Sequence, residues 1–313
     1  MASSLVTEAD VREAADGLRG VARRTPLIRV DALGAWLKLE NLQPVGAFKI
    51  RGAYTAVRRL SVESRRRGVI TYSSGNHGQA LAFAAHRLGC RAVVVMPETA
   101  PAVKVEGVRR WGGEVVLAGT TSEDRRERAE TLATEQALTI VPPFDDPAII
   151  AGQATLGLEI AADLPGVETV VVPVGGAGLI SGVVTGLAAA GSAAGVWGVE
   201  PEGAPKLSRS LDAGHPVVLE RSRSLADGLI TLTVGKRNFA QLQAHADRLR
   251  GVVLVDDDSL RQAVHFLYHT CGLVVEPSGA ATTAALRSGA IHATGPTVLV
   301  VSGGNVDPAL FDD

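Results

Sequence analysis

Cysteine is nearly absent: the 313 residues hold two, Cys90 and Cys271. Two cysteines cannot build a disulfide framework, and no metal-ligand spacing surrounds them. Small core residues in a reducing, cytoplasmic compartment are their expected role. Charge of either sign is not in excess, since 31 basic and 33 acidic residues leave a net charge of -2. That balance excludes a nucleic-acid binder driven by electrostatics. Long apolar runs are missing too. Val93–Met96 and Val170–Val174 end after a few residues, so no segment is expected to span a bilayer. Met1 to Asp10 lacks the basic and apolar regions of a signal peptide. Aromatic residues are scarce, at 4%.

Glycine, by contrast, is plentiful, with 35 copies in a chain that is 46% hydrophobic and long enough for two packed domains. Short β-branched runs alternate with longer helical patterns. Strands are expected at Trp36–Glu40, Val69–Tyr72, Ala92–Met96, Glu114–Leu117, Thr139–Val141, Thr169–Val174, Val196–Val199, Val252–Val255 and Thr297–Val301. Amphipathic or alanine-rich stretches between them include Gly78–Leu88, Ser122–Gln136, Pro147–Ala162, Leu179–Ala190 and Asp258–Thr270. This alternation predicts α/β architecture with parallel sheets covered by helices on both faces. Arginine-dense Arg58–Gly68 and proline-rich Val141–Pro147 bracket a central unit. A small domain over 56–145, inserted into a larger one made of 1–55 plus 146–313, is therefore expected.

Four short motifs carry chemistry. Lys49 sits in Gly46-Ala47-Phe48-Lys49-Ile50-Arg51-Gly52-Ala53, a lone amine between apolar neighbours. Ser73-Ser74-Gly75-Asn76-His77-Gly78-Gln79 follows a strand and leads into a helix. Hydroxyls and an amide at a helix N-terminus suit a carboxylate, beyond the single residue that capping needs. His77 there can cap or pack, and nothing marks it as a base. Gly175, Gly176, Ala177, Gly178 and Leu179 follow the strand Thr169–Val174, and exposed backbone N–H groups at such a turn bind phosphate. Ser302-Gly303-Gly304-Asn305 adds a neutral hydroxyl near the end of the chain. Together these are the parts needed to hold pyridoxal phosphate, with Lys49 as its Schiff-base lysine.

A dinucleotide site is the rival, and with it a nucleotide-binding oxidoreductase. Gly176-Ala177-Gly178 begins a Gly-x-Gly fingerprint, and Glu200 ends the next strand, where a ribose-binding acid would lie. The third glycine position, however, holds Ser181, and that reading uses neither Lys49 nor Ser74.

Lys38–Ala53, Ser73–Gln79, Ile150–Glu159, Val172–Ile180, Glu276–Ala280 and Val301–Asp307 occur in an order that resembles the serine/threonine dehydratase and serine racemase family. These are fold-type II pyridoxal-phosphate enzymes, similar to the tryptophan synthase β chain, with two parallel-sheet domains and the cofactor between them. The resemblance implies that Lys49 holds the cofactor and acts as base at the substrate Cα. It implies further that Phe48 packs beside the ring, Asn76 touches the 3'-oxygen, Gly175 to Leu179 cradle the phosphate and Ser302 meets the pyridine nitrogen. Ser73, Ser74, Asn76 and His77 would receive the substrate carboxylate, with Ser74 also facing the side of Cα opposite Lys49. Arg125 loosely matches a family arginine near the substrate, and Glu276 is expected near the cofactor. The implied activity is an ammonia-lyase acting on L-threonine, L-serine or both. Serine racemisation and β-hydroxyaspartate dehydration remain alternatives within the same chemistry, and β-replacement of the cysteine synthase kind fits the Ser-Ser-Gly-Asn-His-Gly loop poorly. A small hydroxy amino acid as substrate and a homodimer are implied as well.

Two departures stand out. Ala47 replaces a serine common in the family. Cation-activated members place a glutamate, a backbone carbonyl and an aspartate at positions matching Glu200, Ala204 and Lys206. A hard cation wants oxygen ligands, so no metal is expected. Either Lys206 neutralises Glu200 in its place, or it points to solvent and leaves the site empty. With Asp313 eight residues past Asn305, the regulatory domain of the biosynthetic threonine dehydratases is not expected.

Overall fold

The computed structural model describes residues 5–73, 75–100 and 102–307. Among them are ten strands: β1 Leu27–Val30, β2 Ala35–Leu39, β3 Val69–Tyr72, β4 Ala92–Met96, β5 Glu114–Leu117, β6 Thr139–Ile140, β7 Thr169–Pro173, β8 Gly195–Pro201, β9 Leu249–Val255 and β10 Thr297–Val301. They form a six-stranded sheet in the order β1-β2-β10-β7-β8-β9 and a four-stranded sheet in the order β5-β4-β3-β6. Every pairing is parallel except β1 with β2. The four-stranded sheet draws all its strands from between Val69 and Ile140, whereas the 55/56 position falls inside the helix Ile50–Arg59.

The parallel order follows from burial. Central strands such as β10, Thr-Val-Leu-Val-Val, are buried at every position because helices cover both faces. On one face of the larger sheet, Val171, Leu299 and Val301 pack with Leu260, Val264 and Leu267 of helix Asp257–His269 and with Ala281 and Ala285 of helix Pro277–Arg287. On the other, Val170, Val172 and Val300 meet Leu156 and Ile160 of helix Pro147–Asp163 and Ile180, Val183 and Val184 of helix Gly178–Ala189. In the smaller sheet, Ile70, Val93 and Val95 lie under Ala129 and Leu132 of helix Ser122–Glu135.

One strand escapes the sequence pattern. β1 is a four-residue antiparallel edge in which Arg29 interrupts the apolar run, so its only signature is a partner strand four residues further on. Helices Glu8–Gly17 and Lys236–Ala244 are likewise additions to the expected set.

Parallel strands all deliver their carboxyl ends to one edge, which is where open α/β sheets gather ligands. β3 runs out into Ser73, β7 into Val174 and Gly175, and β10 into Ser302.

Candidate active site

Lys49 precedes the helix Ile50–Arg59, whose inward face is buried from Ile50 to Val57. Two seams hold that helix. Its entry is stitched to the end of β10: Phe48 N–H donates to Ser302 O (3.1 Å), Gly304 N–H to Gly46 O (2.9 Å), and Ala47 pairs with Gly303. Gly46 has φ +70, and a Cβ there would lie 2.5 Å from Asn305 Oδ1, so glycine is required on both counts. The second seam is ionic. Arg51 is buried, with Nε 2.7 Å from Glu40 Oε2 and Nη1 2.7 Å from Glu159 Oε1. Lys38, also buried, reaches Glu159 and Asp163 at 2.9 Å each. A bidentate guanidinium fixes orientation as well as distance. Glu40 keeps a carboxyl pKa below the ordinary value: burial raises it, but Arg51 and Thr25 outweigh that.

Lys49 itself is differently placed. Its Nζ donates to the backbone oxygen of Pro143 at 2.9 Å and lies 5.2 Å from the Phe48 ring centre. Burial lowers its pKa to about 8, with Glu276 pulling weakly the other way. A neutral carbonyl cannot offset the loss of hydration as a carboxylate would.

The residue after Pro143 connects the lysine to the glycine turn. A Cβ on Gly176 would lie 2.4 Å from carbons of the Phe144 ring, so only a bare backbone lets that ring lie against the turn. Ala177 adopts φ +70, ψ 6, and helix Gly178–Ala189 starts after it. Asn238 Nδ2 and Gly235 N–H donate to Gly176 O, at 2.8 and 3.1 Å, which holds the turn from behind. The first N–H groups of the helix have no intrahelical acceptor, so the turn is shaped for an anion. Amine, anion cradle and the Ser302 hydroxyl therefore fit pyridoxal phosphate, a group with one aldehyde and one phosphate to hold.

Other expected residues are engaged in their own ways. Ser73 Oγ accepts from Gly75 N–H (3.2 Å) and Gly78 N–H (3.1 Å), acting as a local cap. Ser74 lies outside the described residues. His77 Nε2 is 3.2 Å from Val141 O, and burial together with Lys49 pushes its pKa down to about 3. A neutral ring that donates from Nε2 leaves Nδ1 as an acceptor, buried and without a partner. Asn76 Nδ2 donates to Glu276 Oε1 at 2.6 Å, while its Oδ1 accepts from Asn305 Nδ2 at 2.9 Å. Ser302 is buried, 3.5 Å from Ser278 O. Arg125 bonds Ser122 on its own helix at 2.8 Å.

Several participants have no sequence signal beyond the resemblance, or none at all. Glu276 is buried beside Asn76, and burial, then Asp227, pushes its carboxyl up to about 8. Lys104, on helix Ala102–Arg109, forms an ion pair with Asp227 and lies against Gly75. The Pro142-Pro143-Phe144 stretch reads as a connection, yet it supplies the acceptor for Lys49 and the ring beneath Gly176.

Fold and site define a fold-type II pyridoxal-phosphate enzyme. Residues 18–303 match the pyridoxal-phosphate dependent enzyme family, and the chain belongs to it. Membership sets aside a dinucleotide reading of Gly176-Ala177-Gly178. Among relatives, the L-threonine ammonia-lyase of Thermotoga maritima is 38% identical over 314 residues, covering 98% of this chain and 78% of that protein. The processed form of threonine deaminase isoform 2 from Solanum lycopersicum superposes with a TM-score of 0.89 at 38% identity, over 96% of this chain and 84% of that one. Maize serine racemase gives a TM-score of 0.92 at 33% identity, over 98% and 95%. No helix among the described residues is long and apolar enough to cross a membrane.

Proposed function

We propose that the protein is an ammonia-lyase that converts L-threonine, L-serine or both to a 2-oxo acid and ammonium. The observation that carries this reading is Lys49: an amine with its pKa lowered to about 8, held between the glycine turn and the end of β10. The name and 38% identity of the Thermotoga maritima relative support the substrate class.

In this reading Lys49 carries the cofactor, Gly175, Gly176, Ala177, Gly178 and Leu179 hold its phosphate, and Phe48 flanks its ring. Asn76 meets the 3'-oxygen, and the Ser302 hydroxyl meets the pyridine nitrogen. When bound, the cofactor delocalises the electron pair left at Cα once the proton is removed. The chain's own residues do the rest. Lys49 Nζ, with its lowered pKa, takes the Cα proton near neutral pH, which an ordinary lysine resists. Backbone N–H groups at the start of helix Asn76–Arg87 receive the substrate carboxylate, as helix N-termini do. The His77 contribution comes from its main chain, because its ring faces Val141 O. The β-hydroxyl takes up a proton and leaves as water, which balances the proton that Lys49 removed from Cα. The released enamine then takes up water and loses ammonium, so the net change is deamination. Threonine and serine differ by one methyl group, worth only about 1–3 kcal/mol in discrimination.

Racemisation is a second reading, favoured by the superposition on maize serine racemase. Ser74, which the family resemblance implies faces the other side of Cα, would then be the partner of Lys49. A homodimer belongs to the same proposal and is checked by light scattering. The main test is 2-oxo acid formation from each L-amino acid, with chiral analysis of the remaining substrate. Product from wild type and none from Lys49→Ala is the expected result. D-amino acid without 2-oxo acid would replace the lyase reading by the racemase one, and neither product would overturn both.

A further inference from the structure

Lys206 and Glu200 are fully buried behind the glycine turn, beyond the reach of solvent screening. Glu200 lies near the end of β8, and Lys206 opens the helix Lys206–Ala213, a position where the helix dipole disfavours a cation. Its side chain turns inward. Nζ lies 3.0 Å from Glu200 Oε1, 2.9 Å from Val174 O and 3.0 Å from Ala204 O. All three donors of an ammonium are thereby used. Glu200 is satisfied in turn, since Leu207 N–H donates to Oε1 (2.8 Å) and Ser208 N–H to Oε2 (3.0 Å). The oxygen set of a carboxylate and two carbonyls would suit a hard cation, but the ammonium fills it. A divalent ion does not fit beside Lys206.

The position of Val174 gives this pair a task. Val174 directly precedes Gly175, and its N–H donates to Val199 O at 2.8 Å. Its carbonyl, which would otherwise end the strand without a partner, is the one that Lys206 takes. Both backbone groups of the residue that launches the turn are therefore fixed. Burying two charges is costly unless geometry and hydrogen bonds are complete, and here they are complete.

We propose that Lys206 is a resident cation of the glycine turn: a positioning residue that holds Val174 and aims the following N–H groups at the cofactor phosphate, making added divalent cations unnecessary. This inference rests on the reading that Gly175–Leu179 hold that phosphate. Outer-shell groups of this kind, when lost, weaken a site by roughly 10–100-fold.

The experiment uses the holoenzyme and reads cofactor affinity, the phosphorus NMR signal of the bound cofactor and the 2-oxo acid rate. For wild type, chelator and magnesium are expected to leave all three unchanged. Lys206→Met is expected to weaken cofactor affinity about tenfold and to shift the phosphorus signal toward that of free cofactor. Ser210→Ala serves as a control on the same helix, because it removes the bond to Lys206 O (2.6 Å) without touching Nζ. It is expected to lower thermal stability while leaving affinity and signal in place. Should Lys206→Met fail to fold, Lys206→Asp restores an all-oxygen set, and its affinity is expected to rise several-fold with magnesium or calcium. Several-fold magnesium activation of wild type would overturn the proposal. So would a Lys206→Met holoenzyme with unchanged affinity and signal, or a folded Lys206→Asp enzyme indifferent to cations. If Gly176→Ala also leaves the phosphorus signal unmoved, it is the phosphate reading that fails. A signal that responds to Gly176→Ala but not to Lys206→Met removes the resident cation alone.

Discussion

Lys206 is fully buried and Lys49 half-buried, and their partners set them further apart. Lys206 meets a carboxylate and two carbonyls, so its proton has three acceptors and no role in exchange. Lys49 meets one neutral carbonyl, Pro143 O, and burial brings its pKa down to about 8. Burial lowers the pKa of both lysines, but at Lys206 a carboxylate in direct contact opposes it, whereas at Lys49 Glu276 opposes it without an ion pair. The contact, and not desolvation alone, sets the two amines apart.

The sharpest way to break this contrast is Lys49→Ala. The 2-oxo acid rate should fall by about 10³-fold or more, with the far-UV circular dichroism unchanged. Next comes Arg51→Met. Arg51 is a charge as well satisfied as Lys206, and removing it strands the fully buried Glu40 beneath the lysine helix and leaves Glu159 to Lys38 alone. Breaking a buried pair costs about 3–5 kcal/mol, measurable by denaturant unfolding of the folded variant. Gly176→Ala should push the Phe144 ring aside and weaken cofactor binding. Adding Phe144→Ala should recover part of that loss, and additive losses would show that the two do not meet.

Proton linkage sharpens the comparison further. Lys49 binds its proton less tightly folded than unfolded, so its contribution makes stability rise with pH between about 8 and 10.5. Glu276 binds its proton more tightly when folded, so its contribution makes stability fall between 4.5 and about 8. His77, neutral in the folded protein down to about pH 3, adds an opposing rise up to 6.5. Cofactor-free protein should therefore show the falling arm between 6.5 and about 8. Glu276→Gln should remove it while leaving the rising arm above about 8. Denaturation midpoints across that pH range are the measurement. The smallest effect concerns His77. With its pKa near 3, the ring should stay neutral in nitrogen-edited NMR at about pH 6, where an unperturbed histidine would be mostly charged.

Much of this site is legible in the sequence. Lys49, the glycine turn and Ser302 each lie in a short segment whose residue types already match a chemical task. Seven of the nine expected strands sit between turn signals as recognisable β-branched runs, whereas β2 holds no β-branched residue and β6 is only two residues long. What the chain does not reveal is pairing across distance. Lys49 and Pro143 are 94 residues apart, Asn76 and Glu276 200, Asn305 and Asn76 229. Residue type says only that Glu276 can start a helix, not that Asn76 donates to it. The orientation of Lys206 is hidden for the same reason, because inward and outward side chains look alike in a sequence.

The ionic seam under the lysine helix has a consequence for heat. Hydration of charged groups weakens as temperature rises, so the cost of keeping Arg51, Glu40, Lys38 and Glu159 out of water shrinks, while the gain from apolar burial levels off. Warming therefore shifts the load from the greasy contacts of that helix to its charges. The reactive amine keeps its seat closer to the melting point than an all-aliphatic mount would allow.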